Sequence, residues 1–265
     1  MGPCGHGTGV SGPAAADRTR LADLAEQAAR EAGEELLRRR GTTNPVEAKS
    51  SATDPVSAAD RASEALLVAR LRSARPDDGI LGEEGAARTS HSGLRWVVDP
   101  LDGTVNYLYG LSDWCVSVAC EDAAGGLVGV VHAPVQSATF RAVRGHGAWL
   151  GDTRLAVNDP VPLEQALVAT GFAYDRATRR AQAEVVSRVL VAARDIRRGG
   201  SAALDLCALA AGRVDAYYED GVAHWDWAAG ALIAQEAGAS VSPYGKQGLI
   251  AAGPALIADL QAVVG

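Results

Sequence analysis

Two aspartates stand three residues apart in the segment Asp99-Pro-Leu-Asp102-Gly103-Thr104, directly after the apolar run that begins at Trp96. Functional groups of α/β proteins collect where strands end. Two carboxylates at one tight turn repel each other unless a cation lies between them. The N–H groups of Gly103 and Thr104 could hold a phosphate if they begin a helical turn. The alternative is an ordinary turn capped by Asp102, and the spacing alone does not decide between the two.

Three other segments place carboxylates near the ends of predicted elements. Gly82-Glu83-Glu84-Gly85 follows a short strand, although adjacent acids are commonly a solvated turn. Asp226 fits the first turn of a helix, and the tryptophans on either side of it predict partial burial, which requires a partner for the charge. Asp54, in a polar stretch before a helix, is typical of a simple turn when taken alone.

The familiar catalytic patterns are missing from the sequence. No segment matches a zinc-protease, Walker or nucleophile-elbow motif. The cysteines Cys4, Cys115, Cys120 and Cys207 form no CxxC pair, which argues against a disulfide framework or a structural zinc site. Three of the four lie in apolar sequence and are expected to be buried.

Composition sets the class of protein. The chain has 265 residues, of which 48% are hydrophobic and 22% charged, as in a globular protein of one large domain or two packed lobes. With 25 Lys and Arg against 32 Asp and Glu, the net charge is -7. This charge disfavours nucleic acid and anionic membranes as partners, and an anionic substrate would need a cation to mediate its binding. No apolar run is long enough for a membrane helix.

The residue pattern predicts alternating layers of helix and sheet. Helical periodicity covers 17–40 and 57–71, strand follows strand over 115–157, and strands and helices alternate from 166 to a closing strand and helix. Residues 1–16 are rich in Gly, Pro and Ala and lack the features of a signal peptide. We expect a disordered tail there and a cytoplasmic protein.

Taken together, the segments Gly82-Glu83-Glu84, Trp96-Val-Val-Asp99-Pro-Leu-Asp102-Gly-Thr104-Val-Asn106 and Trp225-Asp226-Trp-Ala-Ala-Gly230 resemble the inositol monophosphatase family, a branch of the magnesium-dependent, lithium-sensitive sugar and inositol phosphatases. The resemblance implies an α+β fold, a layered α-β-α-β-α sandwich. It implies a single phosphatase domain over 17–265, with an N-terminal α+β lobe over about 17–157 and a C-terminal α/β lobe over about 158–265.

The resemblance also implies roles for individual residues. Two to three Mg²⁺ ions would be held by the side chains of four acids and one backbone carbonyl, namely Glu83, Asp99, Asp102, Asp226 and the carbonyl of Leu101. Thr104, paired with Asp54, would orient the attacking water. The substrate would contact Gly103 and Thr104 through its phosphate, and Gly200, Ala202 and Glu219 through the rest of the molecule.

The function that the resemblance implies is magnesium-dependent hydrolysis of myo-inositol 1-phosphate, or of a related polyol phosphate, by a metal-activated water. The protein would be a lithium-sensitive homodimer. Histidinol-phosphate, fructose-1,6-bisphosphate and adenosine 3′,5′-bisphosphate phosphatases share the metal motifs and remain alternatives, with Glu219 favouring a polyol. A non-catalytic regulatory protein on the same fold is the alternative from another class. The segment Gly171-Phe-Ala-Tyr174 lacks the serine of the animal enzymes, which leaves the sugar contacts open.

Overall fold

The computed structural model describes residues 15–40, 46–48 and 55–265. The first helix begins at Ala15, so the last two residues of the expected tail are helical. Residues 1–14 lie outside the described residues, and so does Asp54. None of the described helices is both long enough and apolar enough to cross a bilayer.

The first two helices lie close to their predicted positions. The α-helices of the described residues are α1 Ala15–Arg39, α2 Ala58–Ala74, α3 Thr104–Leu108, α4 Arg176–Ala192, α5 Ala202–Ala210, α6 His224–Glu236 and α7 Ile257–Val264. Helix α1 buries one face, as its apolar spacing predicts. Gly33 lies on that face, and glycine is required there because a Cβ would stand 2.7 Å from Pro134.

The first large sheet has eight strands in the order β10-β9-β8-β7-β6-β5-β3-β4. Its strands are β3 Gly79–Gly82, β4 Ala87–Arg88, β5 Arg95–Asp102, β6 Cys115–Asp122, β7 Gly125–Ala133, β8 Ala138–Val143, β9 Gly147–Leu150 and β10 Thr153–Arg154. Neighbouring strands are antiparallel except β3 and β5, which run parallel. A separate short pair, β1 Val46–Ala48 and β2 Pro55–Ser57, precedes α2.

The second sheet has five strands in the order β12-β11-β13-β15-β14. They are β11 Leu167–Thr170, β12 Asp195–Arg197, β13 Ala216–Asp220, β14 Ser240–Tyr244 and β15 Gly248–Ala252. Strand β11 runs parallel to both β12 and β13, whereas β15 is antiparallel to β13 and β14. The closing segment therefore contains two strands where the sequence predicted one.

Four hydrophobic interfaces join five layers, which confirms the α-β-α-β-α sandwich. Helices α1 and α2 cover one face of the eight-stranded sheet, and α5 and α6 cover the other. The same α5 and α6 pack on the five-stranded sheet, whose outer face is covered by α4 and α7. Helices α5 and α6 are thus buried from both sides, which explains why their sequences are apolar with few charges.

Cys115, Cys120 and Cys207 are buried and carry free thiols, as their apolar surroundings predicted. Strand β5 extends further than the apolar run, because its pairing with β6 continues through Asp99 to Asp102. The register of that pairing shifts between the two aspartates, where Pro100 has no N–H to donate.

Candidate active site

One cleft contains every site residue that the sequence predicted except Asp54. The predicted residues that line it are Glu83, Asp99, Leu101, Asp102, Gly103, Thr104, Gly200, Ala202, Glu219 and Asp226. The topology explains the convergence. Strands β3 and β5 are parallel neighbours, so Glu83, just beyond β3, lies beside the end of β5, and the first turn of α6 brings Asp226 to the same place.

On the acidic side of the cleft, buried carboxylates lie close enough to repel one another. Asp99 is 2% exposed, and this burial is the largest cause that raises the pKa of its carboxyl well above the usual value. The next causes are the carboxylates around it, namely Glu83, Asp102 and Asp226. Burial, followed by Asp102 and Glu83, likewise raises the pKa of Asp226.

Asp99 and Asp226 each have one oxygen fixed by a backbone N–H. Oδ1 of Asp99 accepts a hydrogen bond of 2.9 Å from the N–H of Leu101. Oδ2 of Asp226 accepts one of 2.7 Å from the N–H of Ala223. The first-turn position predicted for Asp226 and its place in the cleft are therefore compatible, because one oxygen serves the helix while the carboxylate still faces the other acids.

Asp102 does not cap the turn that follows it. The residue at the N-cap of α3 is Gly103, with no side-chain cap bond. Oδ2 of Asp102 instead accepts 2.6 Å from Oγ of Ser201 and 2.8 Å from the N–H of Ala203. Burial raises the pKa of Asp102 to about 6, and these two hydrogen bonds oppose the rise. The capped-turn alternative is therefore wrong, and Asp102 links the first sheet to helix α5.

The donor set of the cleft fits a hard divalent cation. All of its ligand atoms would be oxygens, which suit Mg²⁺, and a cation among these acids would relieve the repulsion that raises their pKa values. Within the described residues, no three His, Cys, Asp or Glu side chains already enclose a metal position. Magnesium does not require such a cage, because it keeps several waters and binds through few carboxylates together with substrate phosphate.

Thr104 contacts an acid that the sequence analysis missed. Its Oγ1 lies 3.2 Å from Oδ1 of Asp60 and 3.1 Å from the carbonyl of Leu101. Asp60 is fully buried in the first turn of α2. The predicted partner, Asp54, lies outside the described residues. A first-turn acid is ordinary in a helix, so only the contact across 44 residues of sequence separation identifies Asp60 as part of the site.

The opposite side of the cleft carries two more carboxyls. Burial raises the pKa of Glu219 to about 7, although Tyr217, whose hydroxyl donates 2.8 Å to Oε2, opposes the rise. Asp205, which the sequence analysis did not single out, lines the cleft beside it. Burial and then Glu219 raise the pKa of Asp205 to about 8. Gly171 packs so closely on Glu219 that a Cβ would collide with its carboxylate.

His224 belongs to a different contact. Its Nε2 lies 2.7 Å from Oε1 of Glu121, whose other oxygen accepts 2.8 Å from Arg95. His224 is absent from the lining of the cleft, whereas its neighbour Trp225 is part of it. The histidine thus contributes to the packing of the start of α6 on β6 rather than to a catalytic pair.

Comparison with known proteins gives a consistent result. A model of the inositol monophosphatase family matches residues 17–263. An inositol-1-monophosphatase SuhB of Mycobacterium tuberculosis is 45% identical over 234 residues, covering 83% of this chain and 81% of that protein. A Xylella fastidiosa protein named Nus factor SuhB is 41% identical over 220 residues, 82% of this chain and 80% of its own. The crystal structure of the extragenic suppressor protein SuhB from Bartonella henselae matches with a TM-score of 0.87 and 35% identity, over 92% of this chain and 98% of that one.

Proposed function

The chain belongs to the inositol monophosphatase family, and we propose that it is a magnesium-dependent phosphomonoesterase acting on myo-inositol 1-phosphate or a related polyol phosphate. The observation that carries this proposal is the single cleft in which four mutually repelling carboxylates face Glu219. The four are Glu83, Asp99, Asp102 and Asp226.

We propose that Glu83, Asp99 and the carbonyl of Leu101 hold one Mg²⁺, and that Asp99, Asp102 and Asp226 hold a second, with Glu83 near a weaker third. When bound, the ions would supply a nucleophilic water at neutral pH and neutralise charge on the phosphate. The hydrogen bonds from Ser201, Ala203, Leu101 and Ala223 leave the other carboxylate oxygens available to the ions.

Thr104 orients the attacking water in this proposal. Its hydroxyl proton points to Asp60 or to the carbonyl of Leu101, so an oxygen lone pair remains to accept a hydrogen bond from the water. Asp60 then takes the role that the resemblance suggested for Asp54. Fixing the direction of a nucleophile lowers the entropic part of the barrier.

The start of α3 would bind the phosphate. The first N–H groups of a helix have no intrahelical acceptor, and the helix dipole favours an anion there. Gly103 has φ of 92° and a Cβ there would stand 2.8 Å from the carbonyl of Asp113. Only glycine therefore fits at the turn from β5 into α3, because both the positive φ and the nearby carbonyl exclude a side chain.

Glu219 supports a polyol as the leaving group. A carboxylate accepts hydrogen bonds from hydroxyls and repels a second phosphate. Gly200 and Ala202, on the loop before α5 and at its first turn, complete that side of the cleft. This arrangement disfavours bisphosphate substrates.

Some relatives carry a different name, such as the Nus factor SuhB of Xylella fastidiosa. A regulatory role on the same fold does not require the acids of the cleft. Their complete presence here favours the phosphatase, and the absence of a nucleic-acid partner stays a prediction from the net charge.

A phosphate-release assay tests the proposal. We expect release from myo-inositol 1-phosphate with Mg²⁺ and none with EDTA, and slower release from fructose 1,6-bisphosphate, adenosine 3′,5′-bisphosphate and histidinol phosphate. We also expect inhibition by lithium that added substrate does not relieve, a homodimer in sedimentation, and a cytoplasmic location. Equal rates with and without Mg²⁺ would contradict the proposed chemistry.

A further inference from the structure

Helix α2 presents a polar stripe to the interior of the protein. Asp60, Ser63 and Glu64 stand at helical spacing on one face and are 0%, 0% and 8% exposed. Such a face is normally apolar, and on the same helix Leu67 and Leu71 are fully buried. A buried polar group is tolerated only where it has a hydrogen-bond partner, so the partners of this stripe show what it does.

Each of these three residues contacts a segment that carries proposed metal ligands. Asp60 contacts Thr104, as described above. Oγ of Ser63 donates 2.9 Å to the carbonyl of Pro100, which stands between Asp99 and Asp102.

Glu64 contacts the other segment. Its Oε2 accepts 2.8 Å from the N–H of Glu84, and its Oε1 accepts 3.2 Å from the N–H of Ala86. These two amides flank the turn that follows β3, and Glu83 lies immediately before the first of them.

We propose that Glu64 is a positioning residue that fixes the turn over 82–86 and thereby directs Glu83 into the cleft. The inference rests on the proposed function where it concerns activity, and on the turn itself where it concerns structure. Glu64 is outside the set of described residues that line the cleft. Its carboxylate therefore acts through the backbone of the turn and not on the substrate.

One backbone hydrogen bond within the turn sets its shape. The N–H of Gly82 donates 2.7 Å to the carbonyl of Ala86, which closes the turn into a loop. That bond fixes the shape of the loop and leaves its tilt relative to the cleft to other contacts. The two hydrogen bonds to Glu64 fix the tilt, because they join both sides of the turn to one carboxylate on a rigid helix.

Gly82 provides independent evidence that helix α2 and the turn pack closely against each other. A Cβ at this position would collide with Oε2 of Glu64. Its backbone conformation is not in the left-handed region, so space and not φ requires glycine. Any side chain there would displace the carboxylate from the N–H of Glu84.

The test compares E64Q with wild type and with E34Q, a matched change on the exposed face of α1. Glutamine keeps one acceptor oxygen and turns its NH₂ group toward the second N–H, so at least one of the two bonds is lost. In metal-free full-length protein, we expect hydrogen exchange at the amides of Glu84 and Ala86 to speed up about tenfold in E64Q. E64D, which keeps both acceptors on a shorter side chain, should lie between E64Q and wild type.

In the phosphate-release assay, E64Q should need about tenfold more Mg²⁺ for half-maximal rate, with a smaller change in kcat at saturating Mg²⁺. E34Q should change neither quantity.

Unchanged exchange at Glu84 and Ala86 in E64Q would overturn the inference whatever the activity. A uniform rise in exchange across α2 and the first sheet would also overturn it, because that pattern is global destabilisation. If E64Q does not fold, hydrogen exchange at Glu84 and Ala86 is measured in G82A instead. We expect the same faster exchange there, because this change displaces the carboxylate of Glu64 without removing it. If wild type releases no phosphate, the proposed function fails, while the exchange data still decide the role of Glu64.

Discussion

The hydroxyl of Ser201 donates a hydrogen bond of 2.6 Å to Oδ2 of Asp102, across 99 residues of sequence separation. The same oxygen of Ser201 accepts 3.2 Å from the N–H of Leu204 and so caps α5. One hydroxyl thus joins the loop before α5 to a proposed metal ligand. The position of that loop and the orientation of Asp102 are therefore coupled.

S201A should weaken both parts of this link. Loss of the cap is expected to lower the free energy of unfolding by about 1 kcal/mol, measured by denaturant titration. Because the hydrogen bond opposes the raised pKa of Asp102, its loss should raise that pKa further. The acid limb of the activity profile should then move to higher pH. S201T keeps the hydroxyl and should resemble wild type, and an unshifted acid limb in S201A would contradict the link.

T104A and D60N should lower turnover together. Each removes one member of the pair that orients the water, so we expect about a hundredfold loss in kcat for either, with KM little changed. The double variant should lose little more than either single variant, because the second change removes an interaction that is already broken. D54N serves as the comparison, and a larger loss in D54N than in D60N would restore the sequence-based pairing.

D99N should lose activity and gain stability. Asp99 is proposed as a ligand of both ions, so we expect a loss of at least about a thousandfold in kcat/KM. Without metal, burial and three neighbouring acids destabilise the ionised form of Asp99. Replacing it should raise the melting temperature in EDTA by about 2–4 °C for each kcal/mol of relieved repulsion. D152N, on the exposed surface, should change neither, and an unchanged rate in D99N would end the two-ion proposal.

E219Q should change the selectivity for substrates. We expect kcat/KM for myo-inositol 1-phosphate to fall by roughly tenfold to a hundredfold, and for an aryl phosphate far less, because only the polyol offers hydroxyls to the carboxylate. The pKa of Glu219 is about 7, so its ionised form increases as the pH rises through neutrality. KM for the polyol should therefore improve over that range in wild type and not in E219Q. Equal losses on both substrates would assign Glu219 to the fold or the metal site.

His132 should make the protein less stable in acid. Burial is the main cause that lowers its pKa to about 4, whereas an unfolded chain takes up that proton near about pH 6.5. Above that pH the histidine is neutral in both the folded and the unfolded chain, so its titration does not affect stability. As the pH falls toward 4, the unfolded chain takes up the proton and the folded protein does not, so the free energy of unfolding decreases. The loss should approach about 3 kcal/mol.

H132N cannot take up a proton and can still contact Thr139, whose Oγ1 lies 2.9 Å from Nδ1 of the histidine. Its unfolding free energy, measured against pH, should decline less steeply than that of wild type. H146N changes an exposed histidine and should keep the wild-type slope. Parallel curves for wild type and H132N would show that His132 does not titrate on unfolding.

The residue pattern predicted alternating layers of helix and sheet, and the resemblance to a known family added the order of the layers and most of the acids of the cleft. Helical and strand periods are local properties of the chain, so the helices α1 and α2 lie within a few residues of their predicted bounds. The acids Glu83 and Asp99 follow apolar strands, and strand ends in layered α/β proteins meet at one edge. Their convergence could therefore be predicted, whereas Asp102 and Asp226 were assigned to the site through the family resemblance.

Only the tertiary structure decided which groups hold these acids in place. Asp60, Ser63 and Glu64 look like ordinary polar positions of a helix, since spacing cannot show which loop packs on a helix face. Ser201 caps α5, and its bond to Asp102 depends on how α5 packs between the two sheets. Burial likewise comes from packing, so the raised pKa values of Asp205 and Glu219 have no signature in the sequence. The sequence contained the groups that could do the chemistry, and long-range packing decided how they are oriented.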